Sequence, residues 1–151
     1  MLTQKAAIFN FFLPMLALFS SCSSGTRPAN ANPDRKIKFS GYSWTVRNTP
    51  NKQGPGPNYF SDTDVSVDKN GYLHLFIKRD AASGEWSSAE VTADNLSGFG
   101  TYQFVVEGPL DRLDKNVVLG LFNYSGNDGL DEMDIEFARW GNDSYPNLNY
   151  T

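Results

Sequence analysis

The alternation of polar and apolar positions is most regular from Glu132 to Phe137, where the chain reads E-M-D-I-E-F. A period of two belongs to a β-strand, so the pattern predicts carboxylates on one strand face and apolar side chains on the other. Acidic residues are poor strand formers, and like charges on one face repel each other. The row formed by Glu132, Asp134 and Glu136 therefore indicates either carboxylate chemistry or a solvated acidic face that binds a cation.

Shorter alternations along the rest of the chain predict further strands. Turn-forming residues separate them, and Asp68 to Gly71 reads D-K-N-G, a hairpin signal. No segment has the periodicity of an amphipathic helix. Many short strands with frequent turns predict an all-β sandwich or jelly roll. The predicted strands are 41–46, 64–67, 72–79, 86–93, 99–107 and 116–124.

The first 21 residues have the pattern of an export signal. Lys5 is followed by an apolar run from Ala6 to Phe19, which is short for a membrane span. Ser20-Ser21-Cys22 resembles a bacterial lipoprotein cleavage site, at which Cys22 would receive the lipid. We therefore predict a signal over 1–21, a flexible tether over 22–37 and a folded domain over 38–151. Plain secretion is the alternative, and either route takes the protein out of the cytoplasm to the envelope, the periplasm or the medium.

Composition narrows the range of partners. The chain has 151 residues and a formal net charge of −4, and it lacks a basic patch with interleaved aromatic residues, so nucleic acid is an unsuitable ligand. One cysteine excludes an internal disulfide. The sequence has one histidine, His74, and no G-x-S-x-G motif that would supply a nucleophilic serine to partner it. His74 is therefore interpreted as an ordinary strand residue. A neutral polysaccharide fits this composition, because aromatic faces and hydrogen bonds hold such ligands.

The acid row has the residue types that glycoside hydrolysis needs. A retaining glycosidase uses an ionised carboxylate and a protonated carboxyl about 5–5.5 Å apart. On a flat strand, the backbones of Glu132 and Glu136 would be about 13 Å apart, so the interpretation requires a concave face. Crowded negative charge is expected to raise the pKa of at least one member and to keep it protonated near neutral pH.

The stretch G-L-D-E-M-D-I-E-F resembles the active-site motif of glycoside hydrolase family 16, in the Glu-x-Asp-x-Glu form of bacterial lichenases and laminarinases. The resemblance implies that Glu132 is the nucleophile, that Asp134 assists, and that Glu136 is the acid/base. It also implies a jelly-roll, concanavalin-like β-sandwich. Because family sandwiches continue for several strands after this motif, the resemblance implies that the sandwich is incomplete at the carboxyl end.

The likeness extends from about Asn58 to Thr151. By resemblance, Asn58, Glu90 and Asn149 match residues that line the substrate cleft, so we expect them to bind substrate. Some family members bind a structural calcium ion, but no ligand cluster in this sequence requires one, so we predict no cofactor and no metal site.

These observations together predict an exported, endo-acting β-glucanase with a retaining mechanism. The expected partner is polysaccharide, and the membrane is expected to be contacted only through a lipid on Cys22. Two alternatives remain: a non-catalytic carbohydrate-binding module on the same fold, and an inactive fragment. Linkage specificity, the choice between hydrolysis and transglycosylation, and the oligomeric state are left open.

Overall fold

Short β-strands make up nearly all the regular structure of this protein. A computed structural model describes residues 35–95, 100–124 and 132–151, and the backbone of residues 8–11. These ranges contain two 3-10 helices and no α-helix, which confirms the all-β prediction. The strands are β1 Ile8–Phe11, β2 Lys36–Phe39, β3 Tyr42–Val46, β4 Tyr59–Phe60, β5 Val65–Val67, β6 Leu73–Leu75, β7 Lys78–Arg79, β8 Trp86–Ser88, β9 Val91–Ala93, β10 Val117–Asn123, β11 Met133–Phe137 and β12 Asn149–Tyr150.

The strands form four small sheets. One is antiparallel with the order β2-β3-β9, and a second is the two-stranded hairpin β5-β6. The predicted D-K-N-G turn joins the two strands of this hairpin. Its tightness comes from Asp68, whose carboxylate accepts backbone N–H bonds from Asn70 and Tyr72 at 2.9 Å each. Gly71 takes a positive φ of +81°, which a residue with a side chain rarely adopts.

The main hydrophobic core joins the β2-β3-β9 sheet to the β5-β6 hairpin. The indole N–H of Trp44 donates to the backbone carbonyl of Phe39 at 3.0 Å, so its polar atom is satisfied inside the core. Alternating residues of each strand point into this core, as period-two patterning requires. The buried members are Phe39, Trp44, Val46, Val65, Leu75, Ala89 and Val91.

A third sheet has the order β4-β8-β7, with β4 and β8 parallel and β7 and β8 antiparallel. Its β8 and the neighbouring β9 were expected to form a single strand over 86–93. Instead, the chain breaks at Ala89 and Glu90, because β8 pairs with β4 and β7 while β9 pairs with β3.

The fourth sheet is the one that carries the acid row. It is antiparallel throughout, in the order β1-β10-β11-β12. Its central strand β10 buries Val118, Leu119 and Leu121. The register places Leu119 opposite Phe137 and Gly120 opposite Glu136.

Three other predictions differ from the structure. The strand expected over 72–79 is divided into β6, which pairs with β5, and β7, which pairs with β8. β2 begins at Lys36, two residues before the expected start of the domain, because Lys36 to Phe39 pairs along its whole length with β3. Residues 100–107 form no strand, although a strand was expected there; within them only Phe104 makes a single bridge. Val105 remains exposed, so this segment lacks the enclosing partners that a strand needs.

One strand lies within the predicted export signal. The backbone of β1 pairs antiparallel with β10, with Ile8 opposite Gly120 and Phe11 opposite Val117. The rest of the predicted signal, the tether up to residue 34 and the predicted lipidation site Cys22 lie outside the described residues. Among the residues that are described, no helix is long and apolar enough to cross a membrane.

Candidate active site

The acid row lies on and just before β11, as its alternation predicts. Asp134 and Glu136 are strand residues, and Glu132 immediately precedes the first strand residue, Met133. β10 flanks the row on one side and β12 on the other. Backbone hydrogen bonds between Asp134 and Thr151, at 3.0 and 3.3 Å, extend the pairing with β12 by one residue.

The residues beside the row follow from the strand register. Gly120 lies opposite Glu136 on β10, and Phe122 lies opposite Asp134. Asn149 lies opposite Glu136 on β12. Directly paired residues project to the same sheet face, so these three share the face of the acids. Gly120 is buried and has no side chain, so it places no side-chain atoms beside Glu136.

The two faces of β11 have the reverse of the usual exposure. Glu132, Asp134 and Glu136 are all half-buried. Met133 is 59% exposed and Ile135 is 36% exposed, although apolar residues of a strand normally face the interior. The acidic face is therefore partly enclosed yet still reached by solvent, as a site for a soluble substrate requires.

Two acids of the row have raised pKa values. Burial raises the pKa of Glu136 above 4.5, and the negative charges of Asp134 and Glu132 raise it further. Burial also raises the pKa of Asp134 above 3.8, with a second contribution from the charge of Glu132. A raised pKa was expected from charge crowding, but the loss of hydration is the larger cause. Glu136, which feels both neighbouring charges, is the member best suited to keep a proton.

The acid row has no positively charged partner in the described part of the chain. None of the ion pairs found there involves Glu132, Asp134 or Glu136. Within those same ranges, no group of three or more acidic, histidine or cysteine side chains is arranged to hold a metal ion. The carboxylates therefore repel one another without compensation from a described cation.

Of the three residues expected to bind substrate, only Asn149 lies beside the acid row. Its side-chain amide donates to the backbone carbonyl of Ala138 at 3.0 Å, which fixes the end of β12 against the end of β11. The expected role of Asn149 in substrate binding stays a prediction that its position suits.

Glu90 is 8% exposed, and its carboxylate forms an ion pair with Arg47 at 2.6 Å. The guanidinium of Arg47 also lies over the ring of Phe60, 4.0 Å from its centre, and donates to Gln53 at 3.1 Å. These contacts make Glu90 the anchor of an arginine that holds the following loop. No described contact joins Glu90 to the acid row.

Asn58 has a comparable place in the same loop. Its backbone pairs with Gln53, and its side-chain amide donates to the Pro55 carbonyl at 2.7 Å. It is 8% exposed and closes the loop on itself. The described contacts of Asn58 are thus structural, and its expected role in substrate binding remains untested.

Gly120, Phe122 and Thr151 border the acid row but were not anticipated as site residues. β10 was predicted as a strand, so its residues were candidates for a place in the sheet. What the sequence lacks is the register between β10 and β11, because a one-residue shift would move Gly120 and Phe122 to the opposite face.

A comparison of the chain with protein-family models, with curated proteins and with solved structures found no match.

Proposed function

We propose that this protein is an exported glycoside hydrolase that cleaves β-glucan-type polysaccharide with retention of configuration, on a jelly-roll β-sandwich. One observation carries the proposal: Glu136 has a raised pKa next to the negative charges of Glu132 and Asp134. Two carboxyl groups with different proton affinities are what a retaining glycosidase uses. The agreement of the motif with the glycoside hydrolase family 16 pattern supports the same assignment.

The roles follow from the raised pKa of Glu136 and from the resemblance of the motif. Protonated Glu136 donates its proton to the glycosidic oxygen as the bond to the anomeric carbon breaks. The Glu132 carboxylate attacks that carbon and forms a glycosyl-enzyme ester. Glu136, now ionised, takes a proton from water, and the resulting attack releases the sugar and restores Glu132. Asp134 lies between the two and contributes negative charge that favours the protonated form of Glu136.

The surroundings of the row support a neutral substrate. An uncompensated acidic face repels uronic acids, phosphates and nucleic acids, and the chain as a whole has a net charge of −4. Gly120 lies opposite Glu136 and has no side chain, so no side chain at that position obstructs a sugar ring beside Glu136. Phe122, opposite Asp134 and 36% exposed, offers an aromatic face to the C–H groups of a pyranose.

A non-catalytic carbohydrate-binding module is the second candidate. Exposed aromatic residues in the described chain favour it, because such modules hold sugars largely on aromatic side chains. They include Phe122, Tyr124, Tyr145 and Tyr150. This candidate predicts affinity for glucan without turnover.

The test compares the wild type with Glu132→Gln and with Glu85→Gln, a control at an exposed glutamate outside the acid row. Reducing sugars released from laminarin and lichenan measure turnover, and proton NMR of the first product gives its anomeric configuration. We expect β-configured product from the wild type and the control, and no release by Glu132→Gln. Retardation in glucan-containing gels without sugar release by the wild type would establish the binding module instead.

A further inference from the structure

A cavity of about 580 Å³ lies on another part of the molecule, between the β5-β6 hairpin and the segment 105–113. No member of the acid row lines it. Its apolar wall includes Val105, Leu110 and Leu113. Sites for small ligands commonly have volumes of about 300–1,000 Å³ and apolar walls with a few polar groups, so this cavity has the dimensions of a binding site.

The polar groups of the cavity are held in fixed positions. Asp68 accepts two backbone N–H bonds through one carboxylate oxygen, and its other oxygen lies 3.1 Å from Nε2 of His74. These hydrogen bonds, first among them the one from the backbone of Tyr72, lower the pKa of Asp68 below 3.8. The Asp68 carboxylate and the His74 imidazole are therefore held in fixed positions at the cavity.

An aromatic ring lies next to this pair. Phe76 is 42% exposed, and its ring is nearly parallel to the imidazole of His74, with an angle of 10° and a centroid distance of 6.1 Å. The ammonium of Lys78 lies 5.3 Å from the centre of the Phe76 ring and pairs with Asp64 at 3.0 Å. Phe76 is thus a partly exposed ring that lies nearly parallel to the imidazole.

The charges in the cavity restrict its ligand. Among the described residues, its lining contains Asp68 and Glu107 but no lysine or arginine. An anionic ligand would meet repulsion from these two carboxyl groups. A flat ring beside fixed acceptors instead suits a pyranose, whose C–H face packs on Phe76 while its hydroxyls donate to the carboxylates.

We propose that this cavity is a second, non-catalytic binding site for a neutral β-glucan oligosaccharide segment, an assignment of ligand that rests on the proposed function. A polysaccharide would be held here while the acid row cleaves another part of it. Long substrates would benefit from both contacts, whereas a short oligosaccharide would gain nothing at the acid row from the second site.

The first test uses the one histidine of the chain. Its imidazole proton resonances can be assigned without mutation of the cavity, and they can be followed by NMR as cellotriose or laminaritriose is added to the Glu132→Gln protein. We expect a saturable shift of the His74 signals with at least one of the two trisaccharides. Unshifted signals at concentrations of both sugars that saturate the acid row, or at their solubility limits, would overturn the proposal.

The second test compares Phe76→Ala with Trp86→Ala, a control aromatic that is also 42% exposed and lies outside the cavity. Circular dichroism establishes that both variants are folded. Loss of the stacking ring should weaken polysaccharide affinity by about tenfold and leave hydrolysis of a short oligosaccharide unchanged. Equal polysaccharide affinity in the two variants would overturn the proposed second site and would leave the proposed function of the acid row unaffected. Conversely, polysaccharide binding that depends on Phe76 in a protein without turnover would contradict the hydrolase assignment and support the second binding site.

Discussion

Two regions of the molecule enclose acidic side chains and treat them differently. In the Asp64 cluster, formed by Asp64, Lys78 and Ser87, the carboxylate is 1% exposed, lies 3.0 Å from the ammonium of Lys78 and accepts a 2.6 Å hydrogen bond from Ser87. In the acid row of β11, the carboxylates are half-buried and have no described cation. The first arrangement compensates the cost of burial, and the second leaves it in place.

The difference separates acids that hold the fold from acids available for chemistry. A buried charge is tolerated when a partner and hydrogen bonds compensate for lost hydration. Glu90 with Arg47 follows the same rule as the Asp64 cluster. In the acid row the missing compensation appears as raised pKa values for Asp134 and Glu136. Uncompensated carboxyl groups that solvent still reaches are candidates for acid–base catalysis.

The largest expected effect is on turnover. Glu136→Gln removes the proposed proton donor, and general acid–base catalysis typically contributes about 10²- to 10⁴-fold to a rate. We expect a loss of that size in glucan hydrolysis, measured as reducing sugar, together with an unchanged or higher melting temperature, because one of the repelling charges has gone. Normal turnover with a lower melting temperature in Glu136→Gln would show that Glu136 stabilises the fold, as Asp64 does, and is not the proton donor.

The next effect is on stability, in the Asp64 cluster. Lys78→Met leaves the buried Asp64 carboxylate without its cation, and breaking a buried pair costs about 3–5 kcal/mol in the free energy of unfolding. Urea denaturation measures this loss. The matched control is Lys52→Met, whose pair with Glu85 is exposed on both sides and should contribute at most about 1 kcal/mol. Similar losses in the two variants would contradict the structural role of the cluster.

A third comparison is the dependence of stability on pH. Glu136 binds its proton more tightly in the folded state than in the unfolded state. Its contribution to the free energy of unfolding is therefore complete below pH 4.5 and is lost as pH rises through its raised pKa. Hydrolysis should also fall over this rise, because the acid must be protonated. Glu136→Gln should flatten that part of the stability profile, and an unchanged slope in the variant would contradict the raised pKa.

Partnered acids should respond in the opposite direction. The hydrogen bond from Thr45, and then the one from Lys36, lower the pKa of Asp94 below 3.8. The contribution of Asp94 to the free energy of unfolding is therefore present above pH 3.8 and is lost as pH falls through its lowered pKa. Thermal unfolding between pH 2 and 4 should show this loss of stability in the wild type but not in Asp94→Asn. About the same slope of melting temperature against pH in both proteins would contradict the role of these hydrogen bonds.

The smallest effect is expected at Gly120. A methyl group at this position would meet only the ring of Phe122, at 3.7 Å, so Gly120→Ala should fold and gain up to about 1 kcal/mol in the free energy of unfolding from reduced chain entropy. The same methyl would lie on the face of the acid row, opposite Glu136. We expect KM for glucan to rise a few-fold with little change in kcat, and an unaltered KM would show that no sugar lies against this position.

The strand that carries the acid row could be predicted because its signal is local. The alternation from Glu132 to Phe137 fixes both the strand and the shared face, whatever packs on the sheet. The hairpin at Asp68 to Gly71 was also predictable, since its turn depends on four adjacent residues. Both features are present in the structure. The strand of the acid row begins one residue later than predicted, and the second strand of the hairpin ends at Leu75 rather than at Arg79.

Features that depend on distant partners were not predictable. Which face of β11 is enclosed is decided by the strands beside it and by what covers the sheet, so the exposure of Met133 does not follow from alternation. Glu90 was expected in a substrate cleft, but the pairing of β3 with β9 brings it to Arg47, 43 residues away in the chain. A prediction from single residues cannot supply that neighbour.

The pairing of β1 with β10 has a consequence for the proposed processing of the chain. If export removes residues 1–21, the amide and carbonyl groups of Val117 to Gly120 that face β1 lose their partners. The precursor and the processed chain would then differ in hydrogen–deuterium exchange at this edge, on the strand that adjoins the acid row. Cleavage of the proposed leader would thus also change the sheet that carries the acid row.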